Sequence, residues 1–200
     1  MNKRLNILRL TMLLLLLAML AACSSNGRKK HFVIAVSQCS EDVWREKLNE
    51  ELRIAALYYN NLELRIKSAN DDVKLQTEQI DRFADDNVDL LIVAPGQVTI
   101  SPAIDRAYEK GIPVIIFDRR TRSDKYTAYI GADNKEIGTS MGEHLASVLP
   151  EGSNILELCG LSSSSPAIER QQGFDSIVAL RPTISIVQRL HSDWTEQGAF

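Results

Sequence analysis

Residues 85–122 read DDNVDLLIVAPGQVTISPAIDRAYEKGIPVIIFDRRTR, and this stretch decides the fold class. Leu90–Ala94 is a continuous apolar run, which is typical of a strand buried on both faces of a parallel sheet. Ser101 and Pro102 suit the N-cap and the first position of a helix. Val114–Phe117 is a second apolar run. The stretch therefore predicts a strand, a helix and a strand, the repeating unit of an α/β protein.

The same unit recurs along the chain at intervals of roughly thirty residues. We predict strands at 32–37, 62–68, 90–94, 114–118, 128–131, 154–159 and 183–190. Between the strands, apolar residues recur at helical spacing and predict helices. One such helical face is formed by Trp44, Leu48, Leu52, Ala55 and Tyr59. Alternating strands and helices of this length predict parallel sheets joined by right-handed crossovers.

Three further helices are predicted after residue 132. Asp133 with Glu136 forms a capping box that opens a helix through residue 149. Ser165 opens another helix that ends near residue 180, and a third is expected to begin at Trp194.

Charged residues follow the second strand of the opening stretch directly. Asp118 and Arg119 come after Phe117, and ligands of open parallel sheets bind just past the carboxyl ends of strands. A carboxylate accepts hydrogen bonds from two hydroxyls, and a guanidinium donates several in a fixed fork. The pair is therefore a candidate ligand site, with a structural ion pair as the alternative.

Four further motifs carry a family resemblance. They are IAVSQCSEDVWR at 34–45, IKSANDD at 66–72, SDKYTAYIGADNKEIG at 123–138 and SPAIERQQGF at 165–174. Together with GIPVIIFDR at 111–119, they resemble the type I periplasmic sugar-binding proteins of the ribose-binding kind. In particular, they resemble the periplasmic sensor regions of hybrid two-component systems.

The resemblance implies a fold of two lobes joined by a hinge, each lobe a parallel sheet flanked by helices. It places the N-terminal lobe at 31–131 and the start of the C-terminal lobe at 132–200. The family's return strands are not found in the sequence, so the second lobe is expected to be truncated here.

The resemblance also implies which residues bind the sugar. Asp118 and Arg119 would grip hydroxyls, and Arg170 would reach across the cleft from the second lobe. Trp44 and Trp194, one from each lobe, would pack on the faces of a sugar ring, as aromatic side chains do. The alternatives are a solvated helix charge for Arg170 and core positions for the two tryptophans.

Some positions depart from the ribose-binding pattern. Ser40 and Glu41 stand where ribose-type proteins carry asparagines, and Ala94 replaces an asparagine after the third strand. We therefore expect Glu41 to take part in binding a sugar that is not handled as ribose is.

The N-terminus reads as a targeting segment. Residues 1–23 combine the basic Lys3, Arg4 and Arg9 with an apolar stretch too short for a typical membrane span. Residues 20–23, LAAC, resemble a lipoprotein signal in which Cys23 is lipidated, and 24–30 would be a polar tether. A simple signal peptide or an uncleaved anchor is the alternative.

Composition excludes several function classes. Removing the targeting segment leaves 20 basic against 26 acidic residues, a net charge of −6, which argues against nonspecific nucleic-acid binding. The three histidines, His31, His144 and His191, lack metal-ligand spacing, and no nucleotide-binding glycine motif is present. No nucleophile–base pair is evident, so neither catalysis nor a cofactor is expected.

Two cysteines lie outside the targeting segment. Cys39 and Cys159 each follow a predicted strand, and export would permit a disulfide between them. Because such a bond would lock the two lobes, free buried thiols are the preferred interpretation.

Two roles remain open at this stage. The first is a sugar sensor whose kinase module lies downstream of this stretch. The second is a lipid-anchored binding component that delivers a sugar to a transporter permease. Both place the chain in the cell envelope, attached to the membrane by a lipid or a downstream span.

Overall fold

The computed structural model describes residues 30–199, in which strands and helices alternate. The strands are β1 (Phe32–Gln38), β2 (Leu62–Ser68), β3 (Leu90–Val93), β4 (Val114–Phe117), β5 (Ala128–Ile130), β6 (Asn154–Cys159) and β7 (Ser185–His191). The α-helices are α1 (Val43–Ala56), α2 (Val73–Asp85), α3 (Ser101–Glu109), α4 (Asn134–Val148) and α5 (Ser165–Val178). Single 3₁₀ turns occupy Val98–Ile100 and Gln197–Ala199.

The strands form two parallel sheets. The first has the order β2-β1-β3-β4-β5, and the second pairs β6 with β7. Register is set by pairs such as Ile34 with Leu90 and Ile115 with Ala128. The predicted α/β class with helix-flanked parallel sheets is confirmed.

A continuous apolar core supports the first sheet. Leu91, Val93 and Val114 are fully buried in the strands, and they pack with Ile80 of α2 and Ile104 of α3. Val73, Phe83 and Ala84 lie with Ile80 on the face of α2 that packs on this core. This rigid centre fixes the positions of the strand ends at which the candidate site lies.

The second sheet is packed through two closely approaching helices. A Cβ added at Gly138 of α4 would lie 2.0 Å from the Arg170 carbonyl oxygen of α5. One added at Gly173 would lie 2.1 Å from the Lys135 carbonyl oxygen. Both glycines let the two backbones approach, and this approach determines where Arg170 lies.

Several sequence expectations about helix ends are wrong. Ser101 is the first residue of α3 rather than its N-cap, because the preceding 3₁₀ turn continues into the helix. Its hydroxyl instead donates to the Val98 carbonyl. Trp194 does not open an α-helix, because its φ of 72° lies in the left-handed region. Asp133, by contrast, caps α4 as predicted, accepting from the Glu136 amide.

The predicted apolar face of the first helix is also wrong. Tyr59 lies beyond the end of α1, and the Trp44 side chain is 54% exposed. The buried residue of α1 is Arg45. This excludes a core position for Trp44 in the described part of the chain.

The targeting segment and most of the tether, residues 1–29, lie outside the described residues. Within residues 30–199, no helix combines the length and the apolar character needed to cross a membrane.

Candidate functional site

The site begins where β4 ends. Asp118 follows the strand with a φ of 64°, a left-handed conformation that is uncommon for residues other than glycine. Hydrogen bonds hold both backbone polar groups of Asp118 in this conformation. Its amide donates to the Ile130 carbonyl, and its carbonyl accepts from the Tyr129 hydroxyl. Backbone strain of this kind is found preferentially at functional positions.

Arg45 is the partner of this carboxylate. Its Nη2 donates to Asp118 Oδ2 at 2.6 Å. The Asp42 side chain caps α1 by accepting from the Arg45 amide, which fixes where the helix begins and where Arg45 points. The Arg45 side chain is 3% exposed, and its buried Nη1 has no hydrogen-bond partner within residues 30–199. A buried guanidinium donor that lacks a partner is costly unless a ligand accepts from it.

Sequence reasoning missed Arg45, although a signal was present. The residue is the last one of the motif at 34–45, directly after Trp44 and at the start of the helix that follows β1. A charged residue at the inward position of an otherwise amphipathic helix indicates either a buried ion pair or a ligand contact.

Trp44 adds an aromatic face beside this ion pair. Its ring stacks on Phe117 with centroids 5.5 Å apart and planes at 26°. The Arg45 guanidinium carbon lies 4.7 Å from the centroid of the same ring. A half-exposed indole next to charged hydrogen-bonding groups is a suitable surface for the apolar face of a sugar ring.

Arg119 is oriented differently from Arg45. Its Nη1 donates to the Gly96 carbonyl at 2.7 Å, and its Nε lies 3.8 Å from Asp118 Oδ2. The loop after β3 that it contacts is also held by the buried Gln76, which donates to Ala94 and accepts from the Gly96 amide. Arg119 thus ties the ends of β3 and β4 together, and a direct ligand contact for it stays a prediction.

Arg45, Asp118, Arg119 and Trp44 are hereafter called the Asp118 group.

A second group lies on α4, α5 and the segment after β7. Arg170 Nε donates to Asn134 Oδ1 at 2.9 Å, and its guanidinium carbon lies 5.8 Å from the Trp194 ring. The Trp194 ring packs directly against Gly160, where an added Cβ would lie 2.2 Å from the ring. Arg170, Asn134 and Trp194 are hereafter called the Arg170 group.

A cavity of about 260 Å³ adjoins the Arg170 group. Arg170 and Trp194 line it together with apolar side chains such as Met141 and Phe174. Its wall also includes β6, whose Leu156 and Leu158 are about half exposed.

The two groups are joined through Arg120. Its amide donates to Ser165 Oγ at 2.6 Å, and its Nε lies 3.8 Å from Glu169 Oε1. Its guanidinium stacks 3.8 Å from the centroid of Tyr129. Asp118 is two residues before Arg120 in the chain, and Arg170 directly follows Glu169.

Glu41 lies apart from these contacts. It is exposed, and it lines a shallow depression on α1 together with residues such as Glu46 and Glu50. The structure gives no contact between Glu41 and either group, so its role in binding stays a prediction.

Burial raises the pKa of three ionisable groups near the two groups. It raises the pKa of Glu169, an effect that the neighbouring Arg120 opposes. It also raises the pKa of Tyr129. Burial, helped by Glu157, raises the pKa of the Cys159 thiol to about 11. Cys39 and Cys159 are both buried and free, as the sequence predicts.

Metal coordination finds no support in the part of the chain that the structure describes. No cluster of three or more His, Cys, Asp or Glu side chains there could hold an ion.

Comparison with known proteins shows the family of this chain. The model of the periplasmic binding protein domain matches residues 32–200. The chain belongs to the periplasmic binding protein family. The chain superposes on the fructose-binding periplasmic domain of the hybrid two-component system BT1754 with a TM-score of 0.76. That match has 48% identity and covers 82% of this chain and 55% of the other.

Two curated members of the family extend the comparison. The xylitol-binding protein of Mycolicibacterium smegmatis is 30% identical over 70% of this chain and 40% of its own length. The galactofuranose-binding protein YtfQ of Escherichia coli is 29% identical over 92% of this chain and 59% of its own length. The chain thus spans about half the length of the periplasmic binding proteins that it matches.

Proposed function

We propose that this periplasmic binding protein domain binds a mono- or small oligosaccharide between the Asp118 group and the Arg170 group. The observation that carries the proposal is the pair formed by the buried Arg45 and the partly exposed Asp118, with an unpartnered Arg45 Nη1 within residues 30–199, beside a half-exposed Trp44. Adjacent sugar hydroxyls would accept from Arg45 and donate to Asp118, while Trp44 covers one face of the ring.

The second group would complete the site. Arg170 and Trp194 would contact the opposite side of the sugar when the two lobes, at 31–131 and 132–200, close on it. No chemical step is involved, and no cofactor is required. The named relatives support this, since each is described as a binding protein or binding domain.

Fructose is the first ligand to test, because the fructose-binding domain of BT1754 is 48% identical to this chain. Calorimetry with D-fructose, D-ribose and D-xylose on the whole protein measures the affinity. Asp118→Asn should weaken binding by about 1.5–3 kcal/mol, the scale of a hydrogen bond to a charged group. Asp81→Asn, which alters the exposed pair with Arg106, is the matched control. Equal affinities for both variants would place the sugar elsewhere.

The favoured role is the sensor region of a two-component signalling protein. BT1754, a hybrid two-component system, supports it. A transport role is the second candidate, since YtfQ and import-type binding proteins such as RbsB of Bacillus subtilis also match. Reading the gene beyond residue 200 separates the two roles. A membrane span and a kinase module support the sensor, and a stop codon after the second lobe supports the transport component.

Anchoring to the membrane through a lipid on Cys23 completes the proposal. It is supported by the LAAC sequence that follows the apolar stretch. Labelling of cells with a fatty-acid analogue should mark the wild type and fail to mark Cys23→Ser. Equal labelling would leave a simple signal or an uncleaved anchor.

A further inference from the structure

The Arg170 side chain is held through one of its donors and leaves the others available. Its Nε donates to Asn134 Oδ1 at 2.9 Å, and its guanidinium carbon lies 5.8 Å from the centroid of the Trp194 ring. Within residues 30–199, the protein accepts no hydrogen bond from either Nη of Arg170. The two Nη groups can therefore donate to a ligand while Asn134 fixes the side chain through Nε.

Asn134 is not needed to begin the helix on which it lies. It is the first residue of α4, but the preceding Asp133 caps the helix by accepting from the Glu136 amide. Asn134 is only 2% exposed, and a buried amide is costly unless its polar atoms are paired. Its Nδ2 donates to the Ala132 carbonyl at 3.4 Å, and its Oδ1 is paired with Arg170. Burial of this amide therefore serves the contact with Arg170 rather than the start of α4.

Glu169 determines which way round the Asn134 amide lies. Burial raises the pKa of Glu169, and this rise is opposed by the Arg120 cation and by a hydrogen bond from the Asn134 side chain. A carboxylate only accepts hydrogen bonds, so Asn134 must direct its Nδ2 at Glu169. The Oδ1 atom of the amide then faces Arg170, which can only donate.

The position of Glu169 is set by contacts between α5 and the first sheet. Arg120 follows β4, and its Nε lies 3.8 Å from Glu169 Oε1. The Arg120 amide donates to Ser165 Oγ at 2.6 Å, and the Val98 amide donates to the Ser163 carbonyl at 3.3 Å. The start of α5 is thus held on the loops that follow β3 and β4.

We propose that Asn134 and Glu169 are positioning residues of the sugar site. Asn134 fixes the Arg170 guanidinium through Nε, and Glu169 fixes the orientation of the Asn134 amide. The inference rests on the proposed function, because Arg170 is placed for a sugar, but the hydrogen bonds that position Arg170 are testable without one.

The first test follows the Nε–H group of Arg170 by NMR in the whole protein without sugar. Arg170→Lys assigns the signal, because that variant lacks this group alone. The hydrogen bond to Asn134 should slow the exchange of this hydrogen with water, as hydrogen bonds do for backbone amides. The exposed Arg53 gives the reference rate of a solvated side chain.

Two variants of Glu169 separate positioning from a general effect on the fold. Glu169→Ala removes the acceptor for the Asn134 amide, whereas Glu169→Gln keeps an acceptor in its side-chain carbonyl. We expect exchange at Arg170 Nε to approach the Arg53 rate in Glu169→Ala and to stay near the wild-type rate in Glu169→Gln. Glu143→Ala, at an exposed position of α4, is the control and should leave the exchange unchanged.

A rescue variant tests the orientation of the amide directly. A carboxylate has an oxygen on both sides, so an aspartate at position 134 accepts from Arg170 whichever way it is turned. Adding Asn134→Asp to Glu169→Ala should therefore restore slow exchange at Arg170 Nε. The proposal is overturned if Glu169→Ala exchanges as the wild type does, if both Glu169 variants exchange equally fast, or if Asn134→Asp fails to restore slow exchange.

The second test measures affinity for D-fructose, D-ribose and D-xylose by calorimetry. Glu169→Ala should weaken binding by about tenfold, the lower end of the scale for a hydrogen bond to a charged group. In the Arg170→Ala background the same change should cost nothing further, because the side chain that Glu169 positions is absent. A full tenfold loss in that background would show that Glu169 acts independently of Arg170 and would overturn the proposal. If the wild type binds none of these sugars, the proposed function fails for them, and the exchange rates still decide whether Arg170 is positioned in this way.

Discussion

Arg45 Nη2 lies 2.6 Å from Asp118 Oδ2, which joins the first turn of α1 to the end of β4. The arginine is nearly fully buried, whereas about a third of the aspartate side chain remains exposed. The pair therefore presents its carboxylate to the solvent and keeps the compensating charge inside. This arrangement orients a carboxylate for a ligand without leaving it unpaired in the absence of one.

Replacing Arg45 should weaken sugar binding. Arg45→Gln removes the charge and the fork of donors, and we expect affinity for D-fructose to fall by about 1.5–3 kcal/mol. The measurement is calorimetry on the folded variant. Arg53→Gln, an exposed arginine in the last turn of the same helix, is the control and should bind as the wild type does.

The effects of Arg45→Gln and Asp118→Asn should not add. Residues in direct contact show coupling of about 0.5–3 kcal/mol, so the double variant should lose less affinity than the two single losses combined. Simple additivity would show that the two side chains act on the ligand independently.

Tryptophan fluorescence should report which group the sugar touches. Trp44 and Trp194 are the only tryptophans, and both are partly exposed. A sugar held between the groups removes water from both rings, so emission should shift to shorter wavelength. Trp44→Phe and Trp194→Phe should each retain part of the shift. A saturating ligand that leaves the emission of both variants unchanged would contradict the two-sided site.

Gly138→Ala should destabilise the packing of α4 on α5. The added methyl would lie 2.0 Å from the Arg170 carbonyl oxygen, and backbone cannot yield as a side-chain end does. We expect unfolding free energy to fall by about 1–3 kcal/mol and sugar affinity to fall with it, because Arg170 moves. Ser140→Ala, at an exposed position of the same helix, should be nearly neutral in a denaturant titration.

Stability should depend on pH through Glu169. Burial raises the pKa of this carboxyl above its usual value of 4.5. A raised pKa means that the folded state binds the proton of Glu169 more tightly than the unfolded chain does. The contribution of Glu169 to stability is therefore fully present below the pKa that the group has in the unfolded chain. It is lost as pH rises through the folded pKa.

Glu169→Gln should therefore flatten the loss of thermal stability that begins as pH rises above 4.5. Arg120→Gln should raise the pKa of Glu169 further, because the cation that opposes the shift is gone. Melting temperatures across the pH range test the first expectation, and carboxyl NMR titration tests the second. Glu143→Gln, which changes an exposed residue of α4, is the control. If the melting temperature of Glu143→Gln depends on pH in the same way as that of Glu169→Gln, the pH dependence does not come from Glu169.

The sequence alone determined the fold class, and it predicted the sheet edge at which the candidate site lies. Apolar runs of four or five residues, helix caps such as Asp133 and the placement of Asp118 after a strand are local patterns. Local patterns are readable because each depends on residues close together in the chain. Element ends were less certain, as Ser101 and Trp194 show, because turns compete with helices over one or two residues.

Only the tertiary structure decided which side chains meet. Arg45 and Asp118 are 73 residues apart in sequence, and no local pattern predicts that the start of one helix approaches the end of a strand from another unit. The same holds for Arg120 with Ser165 and for Arg170 with Asn134. Sheet order and helix packing set these distances, and packing depends on the shapes of all the surfaces together.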